Sequence, residues 1–441
     1  MVLKPIVLAS LRHYCACNGG FVLQPRSLIY LYANLVIRGL LPLIVIPIAN
    51  LLLDQDAFGK LTALYSVSVI AGFVVDYCVN VYGTTELAQL LHEEKRRYIN
   101  NLTALKMYIG FFVLIVSVIS IVTIKPDFAA LLSLFLVITV LSAVLDCNWV
   151  FFEAKRFDML AGSSLCGLIF GFFLTLGIYY IFQISDEVAV ALLLCLPLFV
   201  INFTSCVLLF QNRLYEIKPE KVFSIEFKQI ESALKRNISI FLSQIVSTFY
   251  SNFASIGLVA IGKPGLAAAW FALNRLCAGL GTLSLIPLRS IYPDLVAHWG
   301  SRPNFKSAVL VECWIKFSVI IISSISVLLL LPKQILEHIF IPFEIDFVLF
   351  VMIVLFGLMQ INGPVFTGFY ITQNKRFLIL RHTSICLLIL VCFFKYLTLA
   401  FNFYGWLFCI LLSQLFVTIH TLLIIFFPRN LKNYFSLIGN G

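Results

Sequence analysis

Arg38 stands inside an apolar run that extends from about residue 27 to residue 53. A guanidinium there is costly in hydrocarbon, so it marks either a water-filled cavity or a buried counter-ion. It lies about 16 Å into the run at ~1.5 Å per residue, too deep to snorkel easily. Asn34 and Pro42 sit four residues to either side, on the same helical face. Pro42 and Pro47 predict a bend in this helix. Two readings of Arg38 stand together: it lines a cavity, or it pairs with Asp76.

A second set of charges follows the same logic. Arg275, Thr282 and Arg289 are spaced by seven and share one helix face. Arg275 falls near mid-membrane, whereas Arg289 is close enough to the cytoplasmic end to snorkel. Lys316 lies in the cytoplasmic third of a later span. Asp76 and Asn80 are one turn apart, and Asp76 suits a proton site or a counter-ion. Lys106, Asp146 and Lys395 fall near span ends and are expected to reach the interface. Ser243, Ser247, Ser251 and Ser255 form one stripe, either a small-residue packing face or a water-lined wall. The deep charges are mainly cationic, and a cavity so lined attracts an anion. Guanidinium forks suit phosphate oxygens. The candidate substrate-binding residues are therefore Arg38, Arg275, Arg289 and Lys316. Asn34, Asn80, Ser247, Ser251 and Asn274 are the polar lining, and Asp76 is the ion-coupling candidate.

Catalytic constellations do not emerge. The chain has no phosphate-binding loop, no Gly-x-Ser-x-Gly elbow and no His-Glu-x-x-His helix. His420 is the histidine well inside a span. Most of the 12 cysteines sit in apolar runs, where Cys behaves as a small hydrophobe. His13, Cys15 and Cys17 match no standard zinc spacing. Neither a metal nor a cofactor is expected, and neither is an enzyme.

Positioning such residues falls to a membrane-embedded helical scaffold. Of 441 residues, 61% are hydrophobic and 12% charged, and the mean hydropathy is +1.01. This composition excludes a soluble enzyme, a disordered chain and a nucleic-acid-binding domain, and its continuous apolar runs argue against an outer-membrane barrel. About 12 spans of ~22 residues would absorb the apolar fraction. They are expected at 27–53, 59–85, 102–124, 129–150, 159–183, 188–210, 237–261, 266–291, 308–331, 346–371, 383–400 and 405–427. With both termini cytoplasmic, twenty-one Lys and Arg fall on the inside and four on the outside. The net charge of +10 is therefore topological and implies no nucleic-acid partner. The expected organisation is a basic tail over 1–26, a first lobe over 27–210, a cytoplasmic linker over 211–236, a second lobe over 237–427 and a tail over 428–441. Spans recur between the lobes about 206 to 210 residues apart for the first three and about 217 to 224 for the last three, as parallel repeats do, with the substrate path at their interface. Gly59-Lys60-Leu61 opens the second span, and Gly265-Leu266 opens its counterpart.

Three segments carry a family resemblance. Asp76-Tyr77-Cys78-Val79-Asn80-Val81-Tyr82-Gly83-Thr84-Thr85-Glu86-Leu87-Ala88 resembles the second-helix segment of bacterial polysaccharide transporters of the O-antigen flippase family. That family reads Asp-Tyr-Gly-Phe-Asn followed by Thr-Arg-Glu-Ile-Ala, so Cys78 stands for Gly and Thr85 for Arg. Asn148-Trp149-Val150-Phe151-Phe152-Glu153 is similar to its Trp-Phe-Phe-Gln-Gly segment, with Glu153 for Gln. Ala272-Leu273-Asn274-Arg275 with Ser290-Ile291-Tyr292-Pro293 is similar to its eighth helix and Tyr-Pro exit. The resemblance implies an all-α fold of the multidrug/oligosaccharidyl-lipid/polysaccharide exporter type, with two six-helix lobes in a V around a central cavity. It implies a bacterial inner-membrane flippase for an undecaprenyl-diphosphate-linked oligosaccharide. Its partners would be that polyprenyl-linked substrate, the lipid bilayer, and the polysaccharide polymerase and chain-length machinery. The alternatives are a cation-coupled multidrug antiporter of the same superfamily, and a membrane oligosaccharide polymerase or acyltransferase. A drug antiporter would favour an acid on the first helix, where this chain has Arg38. The outside loops between the expected spans are all short, the longest running from Pro332 to Ile345, and the lack of a large one counts against the enzymes.

Overall fold

The computed structural model describes residues 25–121, 126–212, 227–278, 346–359 and 376–426. These segments are helical apart from short turns, and no strand occurs among them. Helices suit a chain this apolar because each satisfies its peptide groups within its own segment. Seven described helices are long and apolar enough to cross a bilayer. The protein is an all-α, multi-pass membrane protein.

The first lobe begins with α1 (Pro25–Leu52), which stays helical through Pro42 and Pro47. The next helix, α2 (Gln55–Asp76), opens where Asp54 accepts the Ala57 N–H at 2.6 Å. It closes where Tyr77 and Cys78 take left-handed angles, with φ of 47° and 60°. The Tyr77 N–H turns back to the carbonyls of Phe73 and Val74. The expected second span ran through this break to residue 85. The chain instead restarts as α3 (Val79–Gln89), because apolar composition continues across a backbone turn without revealing it. Four further helices reach the inner surface of the lobe or cross it: α4 (His92–Ile121), α5 (Pro126–Leu145), the short α6 (Asn148–Glu153) and α7 (Phe157–Phe182). The lobe ends with α8 (Asp186–Gln211), capped by Ser185.

α7 and α8 approach each other closely at two glycines. A Cβ on Gly167 would lie 2.6 Å from the Ile201 nitrogen, and one on Gly171 would lie 2.5 Å from the Pro197 Cα. Small residues let backbones approach where lipid offers no hydrophobic drive. Opposite faces carry large side chains outward: Phe111, Phe112 and Ile119 of α4 and Phe170 and Phe173 of α7 are exposed, as lipid-facing residues are.

In the second lobe, α9 (Phe227–Ala260) starts inside the expected 211–236 linker and continues unbroken into the seventh span. A helical run over 264–278, α10, follows a turn at 261–263. The described part of the tenth span is α11 (Phe347–Met359). The last element, α12 (Arg376–Phe426), is two helical arms joined at Asn402, whose φ of 49° and ψ of −127° are not helical. His382 meets His420, Cys386 meets the Ser413 carbonyl and Phe394 meets Trp406, so the arms run antiparallel as the eleventh and twelfth spans. Arg289, Lys316, Thr282, the His13–Cys17 cluster and the Ser290–Pro293 motif lie outside the described residues.

Three buried clusters hold this arrangement. One lies wholly in the second lobe around Trp270, Phe356, Leu390 and Trp406. The other two join the lobes. Trp149, Phe151 and Tyr77 of the first lobe take in Ile240 of α9. Val45, Phe58 and Phe135 take in Ala268, Phe271 and Ala272 of α10.

Candidate functional site

The lobes meet where α2 crosses α10. A Cβ on Gly59 would lie 1.8 Å from the Pro264 carbonyl oxygen, so the two backbones touch in a way no other residue allows. Gly265, the repeat counterpart of Gly59, faces the Asp56 carboxylate across the same contact. Nearly two turns further along α10, Phe271 packs edge-on against both Phe58 (5.9 Å) and Tyr65 (6.0 Å). These are the helix ends that the charge distribution assigns to the outside.

Arg275 lies one turn deeper on α10. Its guanidinium carbon sits 5.6 Å from the Tyr65 ring centre and 5.0 Å from that of Phe271. Such aromatic faces attract a cation without neutralising it. Its Nε is buried and makes no hydrogen bond among the described residues. No ion pair to Arg275 occurs among them. Asn274, beside it, is half-buried. The result is a guanidinium at the lobe interface with donor capacity to spare.

Arg38 is placed differently. Its Nε donates to Ser164 Oγ (3.3 Å), and its Nη2 donates to Asn148 Oδ1 (3.1 Å) and Asn202 Oδ1 (3.3 Å). Ser164 in turn donates to buried Asn34 at 2.6 Å. Asn202 donates to the Ser142 hydroxyl and carbonyl. The network continues through Asn148, whose side-chain and backbone N–H groups reach Asp146. Arg38 thus ties α1 to α6, α7 and α8 within the first lobe.

Asp76 is the far end of the same network. Its carboxylate pairs with Lys106 Nζ at 2.9 Å and accepts from Asn80 Nδ2 at 2.9 Å. Asn80 also donates to Asp146 Oδ2, so one amide bridges two carboxylates. The Asp76 partner is therefore Lys106, not Arg38. Lys106 is 1% exposed, and its ammonium also reaches the Asp146 carbonyl. The expectation that Lys106 and Asp146 reach the interface is thereby corrected, because each finds charge compensation inside the lobe. Two acids and two bases close the account, with Arg38 and Lys106 facing Asp76 and Asp146.

The serine stripe of α9 divides. Ser243 and Ser255 are buried, Ser247 is half-buried and Ser251 is exposed. Ser243 and Ser251 donate to carbonyls of their own helix, to Ile240 and Thr248 respectively. In the N-terminal half of the same helix, Phe241 stacks on Tyr77 at 4.1 Å, and Asn237 donates to Glu86 at 3.2 Å. Asn202, Ser142 and His382 had no place among the sequence-level candidates; Asn148 entered there only as part of its aromatic segment, and Lys106 only as an interfacial base. The available signal was a polar side chain within an expected span, as at Ser142 and Asn202.

No family model matches the chain, and no curated protein matches it. Solved structures do. The MATE multidrug transporter DinF-BH aligns over 92% of this chain and 96% of its own, with a TM-score of 0.62 at 13% identity. An inward-facing multidrug resistance MATE family transporter of the MOP superfamily aligns over 92% and 96%, with a TM-score of 0.56 at 12% identity. A Vibrio cholerae MATE transporter aligns over 91% and 95%, with a TM-score of 0.57 at 12% identity. The likeness establishes the fold: this chain has the two-lobed helical architecture of MATE transporters.

Proposed function

We propose that the protein is a transporter that moves an amphiphilic solute across the membrane by rocking its two lobes. The observation that supports this most is the fold, shared along nearly the whole chain with MATE transporters. The interlobe contacts fit such motion. Gly59 on Pro264 and Phe271 on Phe58 and Tyr65 lie outside the second-lobe core and can part without opening it.

Two substrate readings follow. The structural neighbours are multidrug transporters, which supports export of drugs against a cation. The site chemistry supports an anion. Arg275 is an interlobe guanidinium with no acidic partner among the described residues, and the first helix carries a base in place of an acid. A polyprenyl-diphosphate-linked oligosaccharide would set its diphosphate on Arg275, its sugars in the hydrated space and its tail in the bilayer. Asp76 would couple ion entry only if an incoming cation displaced the Lys106 ammonium.

Proteoliposomes of defined orientation separate the readings. A labelled polyprenyl-diphosphate oligosaccharide and the same lipid without its diphosphate are assayed beside a cationic dye under a pH gradient. Movement of the diphosphate lipid alone supports the flippase. Exchange of the dye alone selects the multidrug antiporter. Movement of neither, in protein that binds neither, overturns the transporter reading for these substrates.

A further inference from the structure

Outside the first-lobe network and the interlobe guanidinium, one titratable cluster stands apart. His382 and His420 face each other across the two arms of α12, with His382 Nε2 and His420 Nδ1 2.6 Å apart. Arg381 Nη2 lies 3.3 Å from the other ring nitrogen of His420, Nε2. Phe416 stacks on the His420 ring at 6.1 Å, and His382 is 3% exposed. The neighbouring arm thus presents His420 and Phe416, while the first arm presents Arg381 and His382. From α11, Met359 reaches Thr418 close by. Arg381 is the charged group seen to face both imidazoles from the arms of α12.

Donor counting decides how the protons lie. A guanidinium is always charged and only donates, so His420 Nε2 must be bare and accept. The neutral ring then carries its proton on Nδ1 and donates it to His382 Nε2. His382 keeps its own proton on Nδ1. Both rings are neutral in this arrangement, with one N–H in the shared bond and one on the outer nitrogen of His382. A third proton has one vacant outer nitrogen that leaves the His–His bond intact, which is His420 Nε2. Protonation there turns the acceptor of Arg381 into a donor, and the Arg381 contact must break.

We propose that the His382–His420 pair is a proton-binding site of the second lobe, and that the bound proton displaces Arg381. The proton adds to the His420 Nε2 lone pair, and the one bond this step breaks is the Arg381–His420 hydrogen bond. The chemistry stands on this cluster alone. Its consequence, a proton-driven change at the end of the second lobe, rests on the transporter reading.

The test reads the rings directly. Full-length protein with ¹⁵N-labelled histidine is studied by solid-state NMR in phosphatidylethanolamine–phosphatidylglycerol vesicles, with H382N and H420N for assignment. At neutral pH His420 is expected as the Nδ1–H tautomer, with its proton shared with His382. On acidification Nε2 should gain a proton while that shared bond persists. In R381Q the fixed tautomer should give way to a mixture of both. An Nε2–H form of His420 in the unaltered protein at neutral pH overturns the proposal, as does retention of the single tautomer in R381Q. Because no transported substrate enters this measurement, it fails or succeeds independently of the flippase and antiporter readings.

Discussion

Arg38 and Arg275 look alike along the chain, each a single guanidinium deep in an apolar run, yet their surroundings differ in kind. Arg38 serves three neutral oxygens from three different helices. Arg275 has two aromatic faces and a buried Nε without an acceptor. Lys106 and Asp76 show the same contrast between position and environment. Removing one partner of a buried ion pair strands the other, at a cost of about 3–5 kcal/mol, whereas removing both is nearly neutral. K106M alone is therefore expected to lower the melting temperature of the detergent-solubilised protein strongly. D76N combined with K106M should recover most of that loss. If the double variant also transports, Asp76 is a structural acid; if it melts normally and does not transport, the acid serves ion coupling.

Elements are set by close approach and by breaks. The α7–α8 contact depends on Gly171, where any Cβ meets the Pro197 backbone, while Gly177 on the same helix has open space around it. G171L should therefore cost about 1–3 kcal/mol through overpacking. G177L should leave the melting temperature unchanged, and equal effects at both positions would remove the packing argument. The break after α2 falls on two residues with left-handed backbone angles, Tyr77 and Cys78. Cys78 has φ of 60°, an angle that glycine adopts without strain. This chain therefore bears a left-handed conformation on a cysteine.

For the whole molecule, the question is which arginine belongs to transport and which to folding. Arg38 holds four helices of one lobe together, and Arg275 sits where the lobes meet. Losing the donor to buried acceptors costs about 1–3 kcal/mol for each acceptor left unsatisfied. R38Q is thus expected to lower thermal stability and the yield of folded protein. R275Q is expected to leave melting within about 0.5 kcal/mol of the parent, as changes away from packed networks do. In the flippase reading it should still abolish movement of the diphosphate lipid. A stable, active R275Q variant would separate this residue from substrate binding.

The sequence by itself determined the membrane class, the helical class and most span positions, because runs of ~20 apolar residues have only one way to satisfy their backbones in lipid. It also marked the deep charges, since each stands alone among apolar neighbours. Pairing was beyond its reach. Asp76 is 38 residues from Arg38 and 30 from Lys106 in chain order, and neither separation says which base it touches. The turn at Tyr77–Cys78 was hidden because its residues are as apolar as the helix they end. His382 and His420 belong to different spans, and only the antiparallel fold of the α12 arms brings their nitrogens within 2.6 Å. Composition and periodicity are properties of short stretches, so sequence reads them directly. Partners, tautomers and the meeting of lobes are set by tertiary packing between distant segments, which no local pattern records.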